Sequence, residues 1–342
     1  MAYDVRQKIL PGFGSDEPDE SPSPAPKPGA TGSASASTGR TLPDGALYGK
    51  TVYAIDSMGL IYQVFHAMPP MTGPGGEPVA AVYGFVRDLF TLLESKRPDF
   101  LVCAFDLPGK TFRHGLMEQY KAHRPPMPED LIPQIETIRR VVETLGVPAL
   151  GCPSFEADDV LATVAQRTEQ LGADCYLVTA DKDCRQLIGP RTKVYNLRKD
   201  QVLDSSRLAE EWGIRPDQVV DYLTLTGDAS DGVPGVPLIG PKYARLLLEQ
   251  YDNLAKILAN AGTALSGKRR ENLTAYGPRA LVSRQLIALR RDVPVELDWE
   301  AARVSGFRWP ALRKALADLG FRSLTAKAEG FEQAGSSTPV AK

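Results

Sequence analysis

Nine carboxylates fall in five short clusters along this chain: Asp56, Asp106, Glu156-Ala-Asp158-Asp159, Asp181-Lys-Asp183 and Asp228-Ala-Ser-Asp231. Brought to one place, such groups repel one another and raise each other's pKa until cations neutralise them. Hard oxygen donors of this kind suit Mg²⁺ or Mn²⁺, and a two-metal site is a common device for displacement at a phosphodiester. The set therefore reads as the centre of a metal-dependent phosphodiesterase. Three of the clusters also have a plain alternative. Acids at a helix start are favoured by the helix dipole, Asp-Lys-Asp occurs by chance, and Asp228 and Asp231 are ordinary turn formers. Dismissing the whole set takes five such explanations at once.

A second group of residues could hold phosphates. Lys110, Arg113, Lys121 and Arg124 face a single acid, Glu118, and are interleaved with Phe112, His114, Tyr120 and His123. A tyrosine beside Lys and Arg could stack on a base while the cations hold phosphates; the alternative is an ordinary surface helix. Lys268, Arg269, Arg270, Arg279, Arg284, Arg290 and Arg291 form a second basic group, either solvated helix faces or a backbone-binding surface. The net charge of −2 hides this: beyond residue 44 the chain holds 36 acids and 36 bases, and setting the nine clustered acids aside leaves +9. His66 reads as a packed structural residue.

The elements that must position these residues are legible in outline. Strand-like runs TVYAI, FLVCAF and CYLVTA precede Asp56, Asp106 and Asp181. In a parallel α/β sheet the carboxyl ends of the strands converge on one crevice. Helical periodicity covers 78–95 and 129–146, the latter ended by Gly146, and Glu156 opens a further helix to about Gly172. VPALGC reads as a short strand and 192–203 as a strand pair. The alternation predicts an α/β fold, a mostly parallel central sheet flanked by helices. After about residue 215 the pattern is helices joined by Gly/Pro turns. GVPGVPLIGPKYARLLLEQY is similar to a helix–hairpin–helix, with Gly235, Gly240 and Lys242 placed to meet a phosphate. The last part carries one helical pattern.

Composition sets the outer limits. Hydrophobic content of 43% and charged content of 24% are those of a globular protein. No apolar run approaches the ~18–20 residues of a membrane span, and no secretory core opens the chain. Cys103, Cys152, Cys175 and Cys184 lack zinc spacing and read as reduced, buried thiols of a cytoplasmic protein. The Pro/Ser/Gly/Ala-rich tail, residues 1–46, is expected to be disordered.

The runs YQVFHAMPPMTGPGGEP, AVYGF, FDLPGKTFRHGLMEQYKAHRPPMP, FEADDVLATVA, TADKDCRQL and GDASDGVPGVPLIGPKYA closely resemble the 5′→3′ exonuclease domain of bacterial DNA polymerase I, of the 5′ nuclease or flap endonuclease family. The resemblance runs from Lys50 to about residue 295. It implies a PIN/resolvase-like catalytic domain over 47–215, a helix–three-turn–helix DNA-binding domain over 216–300 and a C-terminal helical extension over 301–342. It also implies a first metal held by Asp56, Asp106, Glu156, Asp158 and Asp159, and a second by Asp181, Asp183, Asp228 and Asp231. A mobile helical arch would fall on 110–128, with Tyr120, Lys121 and Arg124 at its functional positions. Arg113, Gly235, Gly240, Lys242, Lys268, Arg269 and Arg270 would contact DNA. The implied cofactors are two Mg²⁺ ions, replaceable by Mn²⁺, and K⁺ at the hairpin.

The chain departs from the family pattern at four places. Ser57 stands for a glycine and Gln63 for an arginine, which removes a cation near the scissile strand. Gly232 stands for an asparagine. Leu238 stands for a hairpin glycine, and is expected to keep φ < 0, with Gly235 and Gly240 carrying the turn. The expected function is 5′→3′ exonuclease and flap endonuclease action on DNA with a 5′ flap, nick or 5′ end, RNA–DNA primer junctions included. The expected protein is monomeric, with a separate polymerase supplying the substrate. The rivals are a nuclease-dead scaffold that recognises nicks or flaps and an RNA-directed nuclease of similar sheet type.

Overall fold

The computed structural model describes residues 42–336. Most of the tail expected to be disordered, residues 1–41, lies outside the described residues. Its end does not follow the expectation. The Gly45 and Leu47 amides donate to the Gln170 and Leu171 carbonyls (3.1 and 2.8 Å), and Leu47 is buried. The turn is therefore docked before residue 47, through buried Leu47 and partly buried Leu42.

The first part of the chain alternates as read: β1 (Thr51–Asp56), α1 (Ser57–Ala67), α2 (Ala80–Lys96), β2 (Phe100–Ala104), α3 (Phe112–Leu116), α4 (Ile132–Leu145), β3 (Ala149–Leu150), α5 (Ala157–Gln170), β4 (Asp174–Val178), β5 (Thr192–Asn196) and β6 (Gln201–Leu203). The strands form one sheet in the order β3-β2-β1-β4-β5-β6, parallel throughout except for the β5–β6 hairpin. Helices cover both faces, so the strands read as unbroken apolar runs. Alternate residues of β1 enter different cores. Val52 and Ala54 face the layer that contains Val160, Leu161 and Val164 of α5. Tyr53 and Ile55 face the layer of α1, α2 and α4. Gly146 ends α4 at φ 98°, a left-handed position that glycine takes without steric cost.

The second part is helical: α6 (Ser205–Trp212), α7 (Val219–Thr226), α8 (Pro241–Tyr251), α9 (Leu254–Ala259), α10 (Ala261–Ala264) and α11 (Gly267–Ile287). The chain then returns to the sheet, where the Leu101 amide donates to Ala302 O (2.8 Å) and the Val304 amide to Asp99 O (3.0 Å). Two helices follow where one was expected, α12 (Trp309–Asp318) and α13 (Arg322–Ser336). Gly320 at φ 76° separates them. Trp309 stacks on Phe331 at 4.6 Å and both rings meet Phe90 of α2. The C-terminal extension thus completes the core on the α2/α4 face.

Residues 110–128 do not form a continuous helical arch. They comprise the five-residue α3 followed by hydrogen-bonded turns over 118–123. Gly115 and the closely spaced Pro125, Pro126 and Pro128 interrupt helix propagation there.

Candidate metal centre

In the order β3-β2-β1-β4, the sheet reverses direction of growth between β1 and β4, and a crevice opens at the carboxyl ends of those two strands. Asp56 ends β1 and caps α1, its Oδ1 accepting from the Gly59 amide (2.8 Å). Thr179, just beyond β4, donates its hydroxyl to Asp56 Oδ2 (2.8 Å) and accepts the Asp181 amide (3.0 Å). Asp106 follows β2 and accepts from Ala157 at the start of α5 (2.7 Å). Asp158 lies one residue further along α5. The turn after α7 carries Asp228 and Asp231, closed by paired amide–carbonyl bonds between Asp228 and Val233 (2.8 Å each).

Asp183, Asp228 and Asp231 place carboxylate oxygens within 4.8 Å of one another, all three side chains buried. The repulsion extends across the crevice. Burial, then the charges of Asp106 and Asp181, raise Asp56 from 3.8 to about 6. Burial and the Asp181, Asp56 and Asp106 charges push Asp158 well above the carboxylate range, and burial with Asp181, Asp228 and Asp231 does the same to Asp183. Asp106 and Asp181 are also raised; solvent reaches both at the cleft mouth, yet protein crowds them on most sides. Asp183 Oδ1 is buried without a hydrogen-bond partner. Hard, mutually repelling oxygens with one left unsatisfied have the donor chemistry of a divalent-cation site.

Four protein cations meet these acids, and Arg113 lies 3.2 Å from Glu156 Oε2. Lys121 Nζ lies 2.8 Å from Glu156 Oε1 and 3.7 Å from Asp231 Oδ2, and the Lys121 amide donates to Asp231 O (3.1 Å) with Lys121 at φ 57°. Arg124 reaches Asp231 Oδ1 at 2.7 Å. Lys182 Nζ, which the sequence reading passed over, lies 2.6 Å from Asp228 Oδ1. Burial opposes ionisation of Asp228, but Lys182 and Ser230 hold it below the usual carboxylate range. The Asp-Lys-Asp spacing was the available signal: the two acids turn inward, and the lysine between them reaches the neighbouring loop.

Three expected roles do not survive this geometry. Arg113 is no DNA contact: it is 1% exposed and grips Asp159 with two parallel bonds (2.7 and 2.8 Å). Asp159 leaves the metal set because, unlike Glu156 (11% exposed), it shows no surface at all (0%) beneath Arg113. Its oxygens are taken by Arg113, the Glu156 amide (3.1 Å) and the Arg290 amide (2.9 Å), so it caps α5 and ties it to the end of α11. Tyr120 is 2% exposed, and its hydroxyl is shared between Asp231 Oδ2 (2.7 Å) and Glu156 Oε2 (3.2 Å). A ring so enclosed braces the acids and does not stack on a base.

The helix–hairpin–helix is α7, residues 227–240 and α8. Here the expected backbone is reversed. Leu238 adopts φ 68°, whereas neither Gly235 nor Gly240 is left-handed. Gly235 is required for closeness instead: a Cβ there would sit 2.3 Å from the Thr226 carbonyl carbon. The Leu238 side chain projects from the turn, 59% exposed. Gly240 caps α8, and Lys242 is exposed on its first turn. Arg270 and Lys268 are exposed on α11, Lys268 paired with Glu271 at 2.8 Å. Arg269 instead bonds the hairpin itself, as described below.

A crevice of carboxylates thus lies at the β1/β4 switch point, faced by cations and followed by a helix–hairpin–helix. The 5′-3′ exonuclease N-terminal resolvase-like domain matches residues 51–213, and the 5′-3′ exonuclease C-terminal SAM fold matches 214–309. A 5′-3′ exonuclease of Aquifex aeolicus is 35% identical over 80% of this chain and 94% of its own length. DNA polymerase I of Rhizobium leguminosarum is 39% identical over 81% of this chain, which spans 28% of that polymerase's length. Among solved structures, the zinc-bound T5 5′-exonuclease has the same fold at TM-score 0.61, with 18% identity over 84% of this chain and all of that one. The catalytic core of Rad2 bound to DNA follows at 0.53, with 17% identity over 84% of this chain and 93% of that one. The chain belongs to the 5′-3′ exonuclease family.

Proposed function

We propose that this chain hydrolyses DNA phosphodiesters at 5′ ends, as a 5′→3′ exonuclease and a structure-specific flap endonuclease, with two Mg²⁺ ions as its cofactors. The convergence of Asp56, Asp106, Asp158, Asp181, Asp183, Asp228 and Asp231 on one crevice, with Lys121 and Arg124 poised over it, carries this reading. Asp56, Asp106, Glu156, Asp158 and Asp181 would hold one ion, and Asp183, Asp228 and Asp231 the other. When bound, the ions supply Lewis-acid activation of water and neutralise charge at the transferring phosphoryl group.

The chain's own residues do the rest. Lys121 and Arg124 exchange their carboxylate partners for the scissile phosphate and stabilise its developing charge. Tyr120 keeps Asp231 and Glu156 in place. The amides at the start of α8 and Lys242 meet the duplex backbone. Terminal nucleotides unpair to reach the crevice. RNA primer junctions fit the same site, and a separate polymerase would generate the flap.

The test is a labelled 5′-flap duplex incubated with the chain, with and without Mg²⁺. Short 5′-phosphorylated products that need Mg²⁺ and vanish in Asp181→Ala are expected. Binding without any Mg²⁺-dependent cleavage would favour a scaffold instead.

A further inference from the structure

The apex of the hairpin is held in a conformation its sequence disfavours. Leu238 is left-handed (φ 68°), a region that costs a non-glycine residue through the clash of its Cβ with the following carbonyl oxygen. A strained residue persists only where its surroundings over-determine it. Val236 and Ile239 on either side are buried, and the Ile239 amide closes the turn onto Val236 O (3.0 Å). Two side chains of α11 then reach across to the turn. Arg269 Nε donates to Leu238 O (3.1 Å), and Asn272 Nδ2 donates to Pro237 O (2.8 Å). The Arg269 guanidinium is itself fixed, lying over the Tyr243 ring of α8 at 4.0 Å. One side chain therefore joins the hairpin, α8 and α11.

We propose that Arg269 is a positioning residue for duplex binding: it holds Leu238 in its left-handed turn, and so the hairpin at the angle that DNA meets, rather than supplying a phosphate contact. Leu238 and its clamp are one device, in which an arginine on α11 does the work that a glycine would do unaided. The inference rests on the DNA-binding reading above.

The experiment uses the full chain without divalent metal and a fluorescent 5′-flap duplex, with anisotropy titrations at several NaCl concentrations. Arg269→Ala should weaken binding roughly 5- to 30-fold, the factor that left-handed strain corresponds to. The slope of log affinity against log salt should stay that of the parent chain, because no phosphate contact is lost. Leu238→Gly should rescue the defect: the double variant should bind within about twofold of Leu238→Gly alone, since glycine holds φ > 0 without a clamp. A cooperative thermal transition within a few degrees of the parent's is expected for Arg269→Ala and shows that it folds. A salt slope lower by about 0.9, the change for one phosphate contact, with no rescue by glycine, would overturn the proposal. So would unchanged affinity. A parent chain that does not bind the duplex would overturn the functional reading, and this inference with it.

Discussion

Arg113 and Asp159 form a two-pronged ion pair with neither side chain reaching solvent, 1% and 0% exposed. Arg113 also donates to Leu286 O (2.7 Å), so the pair joins α3, α5 and the end of α11 beneath the metal centre. Removing one partner leaves an uncompensated buried charge, which costs about 3–5 kcal/mol. Asp159→Asn should therefore lower stability by that order in urea unfolding while leaving Mg²⁺ affinity of the folded protein near the parent value. A selective loss of Mg²⁺ affinity with full stability would return Asp159 to the metal ligands.

Asp158 and Asp181 answer differently, because each faces other acids with no arginine beside it. Asp158→Ala and Asp181→Ala should abolish Mg²⁺-dependent cleavage and leave flap binding intact or tighter, as a charge that repels the backbone is lost. Gel shifts in Ca²⁺ and single-turnover cleavage separate the two effects. Robust turnover by both variants would sink the two-metal assignment.

Lys121 tests the cationic segment. Lys121→Ala should slow single-turnover cleavage by an order of ~10²–10³, the loss expected for a preorganised donor to the transition state. Duplex affinity should change little. A fall in affinity with an unchanged rate at saturation would make Lys121 a backbone anchor.

The acids should also be visible without substrate. Asp56 titrates in the folded chain at about 6 against an ordinary 3.8. Between these values the folded state holds the extra proton, so stability is fullest below the lower value and falls as pH rises through the upper one. Asp106, Asp158, Asp181 and Asp183 shift in the same direction; Asp228 and, away from the crevice, Asp99, Asp200, Asp252, Glu271 and Asp292 are lowered, but their contribution is already nearly complete at pH 5. In EDTA the melting temperature should therefore be higher at pH 5 than at pH 7.5. Excess Mg²⁺ should raise it strongly at pH 7.5 and little at pH 5, where protons already neutralise the site. A thermal scan that shows no Mg²⁺ effect at pH 7.5 would count against a cation site here.

The sequence alone determined the sheet, most helices and seven of the acids that meet in the crevice. Those features are local: apolar runs closed by Asp56 and Asp106 announce strand ends, and strand ends in a parallel sheet converge whatever the loops do. Long motifs carried the family as well. What only the tertiary structure decided was the partner of each charged group. Asp158 and Asp159 are neighbours in sequence, but successive helical positions point about 100° apart, so one enters the crevice and the other meets Arg113. Arg113 and Arg124 lie in one basic segment, yet one is sealed in the core and the other reaches Asp231. Leu238 shows the same limit in the backbone. Local sterics favour φ < 0 there, but the clamp that holds it at φ 68°, Arg269, lies 31 residues further on. Charge and strain are settled by what stands opposite, and what stands opposite is a property of the fold.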